Sequence, residues 1–102
     1  MLSVIASILI KESKVDQFKD IFIENIPNVL AEKGCLEYRI TVDFDTGFEQ
    51  QLIESNSVTI IEKWNTFEDF HNHRLAPHMI QHKLKVEDLV ESVSIKVLQE
   101  IS

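Results

Sequence analysis

Residues 3 to 10, Ser-Val-Ile-Ala-Ser-Ile-Leu-Ile, constrain the fold more than any other stretch, because they are rich in β-branched side chains and nearly apolar on both faces. Such a strand has to be covered on each side, so it belongs at the centre of a sheet with material over both surfaces. The run imitates a signal sequence only in hydropathy. No basic region precedes it, it lacks a small-residue cleavage site, and Lys11 and Glu12 end it.

The next segment changes period. Val15, Phe18, Phe22, Ile26, Val29 and Leu30 recur at three- and four-residue intervals, which predicts a helix with one apolar stripe against the sheet. Ser13 and Asp16 have capping-box spacing, so the helix is expected to start at about Ser13. It should pass Pro27 with a kink or loosened turn near Ile23 and end with Gly34 as its C′ residue. Cys35 to Phe44 alternates, with Leu36, Tyr38, Ile40, Val42 and Phe44 on one face, and reads as a half-buried strand. Asp45-Thr46-Gly47 supplies a turn, but Phe48 to Ser55 is longer than a tight hairpin needs.

Ser57 to Trp64 alternates again, putting Val58, Ile60, Glu62 and Trp64 on one face. Thr66 and Asp69 repeat the capping spacing ahead of a short helix that must stop before Pro77. Pro77 suits the first position of another helix, whose apolar side is expected from Ile80 and Leu84, with Met79 and Leu89 as further candidates. Ser92 to Leu98 then alternates as a last strand, with Val93, Ile95 and Val97 together.

The order β-α-β-β-α-α-β is that of a split βαβ, an α+β ferredoxin-like arrangement in which one antiparallel sheet carries its helices on one face. A chain of 102 residues suits one domain, 1–102, with a modest core. Because the strands look apolar on both sides and no helix remains for the second face, that face is expected to pack against a second copy as a homodimer. Seventeen acids against ten bases give a formal net charge of -7, which disfavours nucleic acid and anionic membranes. No apolar run approaches the roughly 20 residues needed to cross a bilayer. A single Cys excludes an intrachain disulfide and fits a reducing cytoplasm.

Any chemistry concentrates between Ser57 and His78. His71, His73, His78 and His82 lie close together, and His78 with His82 has the i, i+4 spacing of metal ligands. No acid is spaced on the helix with that pair and His73 precedes the proline break, so no native metal is expected. His73 and His78 flank the break, and an imidazole titrates near neutral pH, which makes both candidates for proton transfer. The competing reading has His78 filling the first turn after Pro77 and His73 packing or capping the preceding helix. Glu62, among apolar neighbours, is either exposed near a strand end or buried with a partner such as Arg39, Tyr38 or a histidine. Burial would raise its pKa and suit it as base or orienter, although structural ion pairs do the same. Trp64 and Tyr38 are core aromatics or the walls of a pocket for a planar phenol. Cys35 has no basic partner in sequence and reads as packing.

Lys33-Gly34-Cys35-Leu36-Glu37-Tyr38, Glu62-Lys63-Trp64, Phe70, His73 and Pro77-His78, taken in that order, resemble the antibiotic biosynthesis monooxygenase domain family of small dimeric α/β-barrel proteins. The match runs nearly end to end. Ala76 stands where the family often has Ser, and the segment between Asp45 and Ser57 is several residues longer than usual. The resemblance implies a ferredoxin-like homodimer, often a cofactor-free oxygenase acting on quinols or other hydroxylated aromatics with molecular oxygen. The family also includes a ketose-phosphate isomerase and haem degraders. The haem-degrading branch uses an Asn in the first strand, where this chain has Ala6, and a pocket Trp where it has Lys63, so that branch is set aside. The expected catalytic residues are therefore His73, His78 and Glu62, with substrate contacts from Trp64, Tyr38 and Arg39 and no metal or cofactor. Two alternatives stand beside this. One is an isomerase of a small phosphorylated ketose, for which Arg39, Arg74 and Lys63 are the available cations; the other is a non-catalytic ligand-binding dimer.

Overall fold

The computed structural model describes residues 1–102 and has the seven elements in the expected order. These are β1 (Leu2–Ile10), α1 (Val15–Leu30), β2 (Cys35–Thr41), β3 (Ser57–Trp64), α2 (Phe67–Leu75), α3 (Pro77–Val86) and β4 (Val90–Leu98). The strands form one antiparallel sheet in the order β2-β3-β1-β4, so the doubly apolar β1 is indeed internal, paired with β3 on one side and β4 on the other. All three helices lie on one face, and the smallest dimension of the molecule is 19 Å, the thickness of one sheet and one helix layer. This is the α+β ferredoxin-like fold. No helix is long and apolar enough to cross a membrane.

One cluster of buried side chains joins the layers. Val4, Ala6 and Ile10 of β1 and Val58, Ile60 and Trp64 of β3 meet Phe18, Phe22 and Val29 of α1. Phe18, Phe22 and Tyr38 stack in series, at ring separations of 6.0 and 5.4 Å. At roughly 1.5 to 3 kcal/mol for each fully buried side chain, this cluster supplies most of the drive to fold.

Several boundaries differ from the sequence reading for local reasons. Ser13 does not cap α1, because the chain leaving β1 makes a tight turn, with the Lys14 N–H on the Lys11 carbonyl at 3.0 Å and Ser13 at φ +65°. Lys14 occupies the cap position without a side-chain bond. The helix runs through Pro27 as one element but ends at Leu30, ahead of Gly34. Gly34, at φ +79°, instead serves the turn into β2. Strand β2 ends at Thr41, leaving Val42 and Phe44 exposed. A bulge between Cys35 and Glu37 also breaks the expected alternation. Cys35 thereby packs on the core opposite Trp64, while Leu36 turns outward and is half exposed.

The sheet face away from the helices is less apolar than expected, since Ser7 and Thr59 interleave with Ile5, Leu9 and Ile61. On β4, Val93, Ile95 and Val97 do share a side, opposite Ile8, Ala6 and Val4 on the helix-bearing face, but the helices do not reach far enough to cover them. The long segment after β2 is tied to itself. Asp43 accepts from the Glu54 N–H at 2.9 Å and Gln51 donates to the Phe44 carbonyl at 2.7 Å, while Phe44, Phe48 and Leu52 point outward.

Candidate active site

Strand alternation brings the first site residues together. Tyr38 of β2 pairs directly with Glu62 of β3, and both turn towards the helices. The helix layer delivers His73 from above. Thr66 caps α2, its hydroxyl accepting the Asp69 N–H at 3.1 Å. The start of α2 is pressed against Gly34, whose carbonyl accepts the Asn65 N–H at 2.8 Å and whose missing side chain leaves room for buried Asp69. From that anchored end α2 runs over the sheet until Pro77 forces Ala76 into an extended conformation and opens α3.

His73 is 3% exposed, in an aromatic setting of Trp64, Tyr38 and Phe70 at ring separations of 4.6, 5.6 and 6.3 Å. Its Nδ1 lies 2.6 Å from Glu32 Oε2, the short distance of a charge-assisted hydrogen bond. A carboxylate can only accept, so Nδ1 carries the proton and neutral His73 has its lone pair on Nε2. That nitrogen lies 3.9 Å from Glu62 Oε1, an oxygen already bonded by Trp64 Nε1–H at 3.0 Å. Burial pushes the His73 imidazole below its ordinary pKa against the upward pull of Glu32, so the ring is a free base at neutral pH. Burial raises the Glu62 carboxyl above the usual carboxylate range, opposed by the Trp64 hydrogen bond. The Tyr38 phenol is pushed up first by burial and then by Glu62 and Glu32, which keeps it a neutral donor.

These groups border a cavity of about 550 Å³ between the helix layer and the β1 and β4 side of the sheet. Its walls are mainly apolar, from Val4, Ala6, Phe18, Phe22, Ile60 and Ile95 among others. Tyr38, Glu62, His73, Arg74, His82 and Lys83 supply the polar groups. A mainly apolar lining with a few polar groups is the usual make-up of a small-molecule site.

The expected site residues therefore separate. Tyr38, Glu62 and His73 meet at the cavity. Trp64 is fully buried beneath them, touching His73 and holding Glu62. His78 stands behind, on a smaller outer cleft, with Nε2 3.6 Å from Glu32 Oε1. Arg39 lies on the other face of β2, largely exposed and paired with Glu37, and does not line the cavity. Of Arg39, Lys63 and Arg74, only Arg74 does. His82 lines both the cavity and the outer cleft, and no group of three or more His, Cys, Asp or Glu side chains converges as metal ligands. Burial and the Glu32 charge raise the Cys35 thiol, which suits packing rather than attack. Glu32 is the residue that sequence reasoning missed. It reads there as one more charge in the last turn of a helix expected to run to Gly34, and its only signal is its place just before the strand that pairs with the Glu62 strand.

The profile of the family described as "Antibiotic biosynthesis monooxygenase" matches residues 1–83. The protein described as "Probable quinol monooxygenase YgiN" from Escherichia coli K12 is 32% identical over 105 aligned residues, covering 97% of each chain. A putative antibiotic biosynthesis monooxygenase from Nitrosomonas europaea superposes with a TM-score of 0.84 over 100% of both chains at 18% identity. A Shewanella oneidensis protein superposes at 0.79 over 95% of this chain and 87% of its own, at 27% identity. The last two share the fold. The family profile and the 32% identical relative establish that the chain belongs to the antibiotic biosynthesis monooxygenase family.

Proposed function

We propose that the protein is a small monooxygenase that needs no cofactor, acting on quinols and related phenolic aromatics, with His73 as the general base. The observation that carries this reading is the pairing of His73 Nδ1 with Glu32, which leaves Nε2 as a lone pair beside a mainly apolar cavity. The naming of the 32% identical relative as a probable quinol monooxygenase supports the substrate class.

In this scheme Nε2 takes the proton of a bound phenol, and the phenolate passes one electron to dioxygen. The radical pair recombines to a carbon–oxygen bond, and the peroxide takes the proton back from His73. The ring-carbon hydrogen and the terminal hydroxide then leave as water, so one oxygen atom stays on the ring as a carbonyl and every electron comes from the substrate. Tyr38 O–H, kept neutral, can donate to an oxygen anion, and the mainly apolar walls, which make forming the phenolate costly without His73, leave it weakly solvated and so a stronger electron donor once formed. Arg74 and Lys83 are the only Lys or Arg side chains on the cavity, which leaves a phosphorylated ketose without the cluster of cations that its phosphate needs.

We further propose that the chain works in the cytoplasm as a homodimer. The uncovered sheet face and the outward Phe44, Phe48 and Leu52 support a second copy, which would hide them. Light scattering at micromolar concentration should give twice the chain mass; a monomer would refute the pairing. An oxygen electrode tests the chemistry, offering naphthohydroquinones and polycyclic phenols. Enzyme-dependent uptake is expected, with one atom of ¹⁸O₂ in the product. A panel without uptake would refute the oxygenase.

A further inference from the structure

His78 lies behind the cavity, yet its Nε2 is buried without a hydrogen bond and faces Glu32 Oε1 at 3.6 Å. The other ring nitrogen is engaged, with Asn25 Nδ2 at 3.2 Å from Nδ1. The direction of that contact is fixed from further out. Asn28 donates its amide N–H to Asn25 Oδ1 at 3.0 Å, which turns the Asn25 oxygen to Asn28 and its NH₂ to His78 and Met79 Sδ. An amide NH₂ only donates, so Nδ1 of His78 accepts, and the proton of the neutral ring sits on Nε2, facing Glu32.

Glu32 then has one donor for each oxygen, His73 Nδ1–H on Oε2 and His78 Nε2–H towards Oε1. Asn25 and Asn28 sit on α1, and Glu32 follows just after its end. Their spacing of three residues sets Asn25 and Asn28 on one side of that helix, and Asn25 meets the start of α3 at His78 and Met79. A shift of a few tenths of an ångström in Glu32 brings the 3.6 Å approach into normal hydrogen-bond range.

We propose that His78 is a positioning residue and not a base: locked as the Nε2–H tautomer by Asn28 and Asn25, it anchors Glu32, which in turn holds His73 with Nε2 free. The proposal rests on the reading of His73 as the base. Neighbouring histidines of one motif then carry opposite tautomers, His73 protonated at Nδ1 and His78 at Nε2.

Long-range ¹H–¹⁵N correlation of the wild-type protein above the imidazole range reads both tautomers without any substrate, so this result stands apart from whether oxygen is consumed. The expected spectrum has a pyrrole-like Nε2 in His78 and a pyrrole-like Nδ1 in His73. Kinetics supply the second arm. In His78→Gln the side-chain amide can still donate to Glu32 and should keep kcat within a few-fold of wild type. His78→Ala should lose roughly 10-fold or more in kcat at little change in KM, the worth of one hydrogen bond to a charged group. A His78 proton on Nδ1 would overturn the proposal, as would Gln and Ala variants that both fall as far as His73→Ala, the behaviour of a base. Wild-type rates in both variants would overturn it too.

Discussion

Replacing Gly34 by Ala tests how the site is held over the sheet. Gly34 has φ +79°, where a side chain costs about 1 to 2 kcal/mol. An added Cβ would also stand 2.7 Å from the Cβ of Asp69 and closer still to its carboxylate. The carboxylate could rotate away, but the Asp69 Cβ moves only with the first turn of α2, where Asp69 and Phe70 are buried, so about 1 to 3 kcal/mol of overpacking is added. Reduced freedom of the unfolded chain returns about 0.4 to 1 kcal/mol. The net loss is on the order of 1 to 5 kcal/mol, at roughly 4 to 8 °C per kcal/mol for a domain of this size. Gly47→Ala is the control, with φ +76° and nothing within 4 Å, so it carries the conformational cost alone. Urea melts of both variants should rank Gly34→Ala well below Gly47→Ala. Adding Asp69→Ala should recover only part of the gap, because the Asp69 Cβ remains. Equal losses at the two glycines would refute the claim that α2 is seated on Gly34.

Thr66→Ala removes the α2 cap and should cost about 1 kcal/mol in the same melts. Trp64→Phe deletes the N–H that Glu62 accepts, so the Glu62 pKa, already raised by burial, should rise further. A raised folded pKa means stability lost as pH rises, so this variant should be hurt more at pH 8 than at pH 5 in paired thermal scans. For His73 and His82 the sign is opposite. Burial lowers both, so their contribution is full above the unfolded value of about 6.5 and is lost as pH falls through their folded values. Turnover should likewise climb with pH as His73 becomes a neutral base, with a midpoint below the ordinary imidazole value, and then level off; a midpoint well above it would contradict a desolvated base.

The elements were legible because their periods are clean, but the buried side of α3 was not, since His82 and Val86 turn inward while Ile80 and Leu84 stay exposed. The run from Ser57 to Trp64 alternates without exception in burial, and Thr66 caps as its spacing said. Turns were less so. Nothing local reveals that Ser13 enters a left-handed turn, or that a bulge exchanges Leu36 for Cys35 on the core side, since both follow from how β1 and β2 meet their neighbours. The site was half legible for the same reason. Tyr38, Glu62 and His73 lie on well-patterned elements, whereas Arg39 follows from alternation to the wrong face. Glu32, 41 residues from His73 in sequence, is joined to it only by the folded topology.

The central claim, that Nε2 of His73 removes the substrate proton, is tested most directly by His73→Ala with and without added imidazole. The folded variant should lose roughly 10² to 10⁴ in oxygen uptake, because general-base catalysis is typically worth that much. Neutral imidazole diffusing into the vacated space should restore part of the rate, in proportion to its unprotonated fraction. A His73→Ala variant that consumes oxygen within a few-fold of wild type would contradict the account.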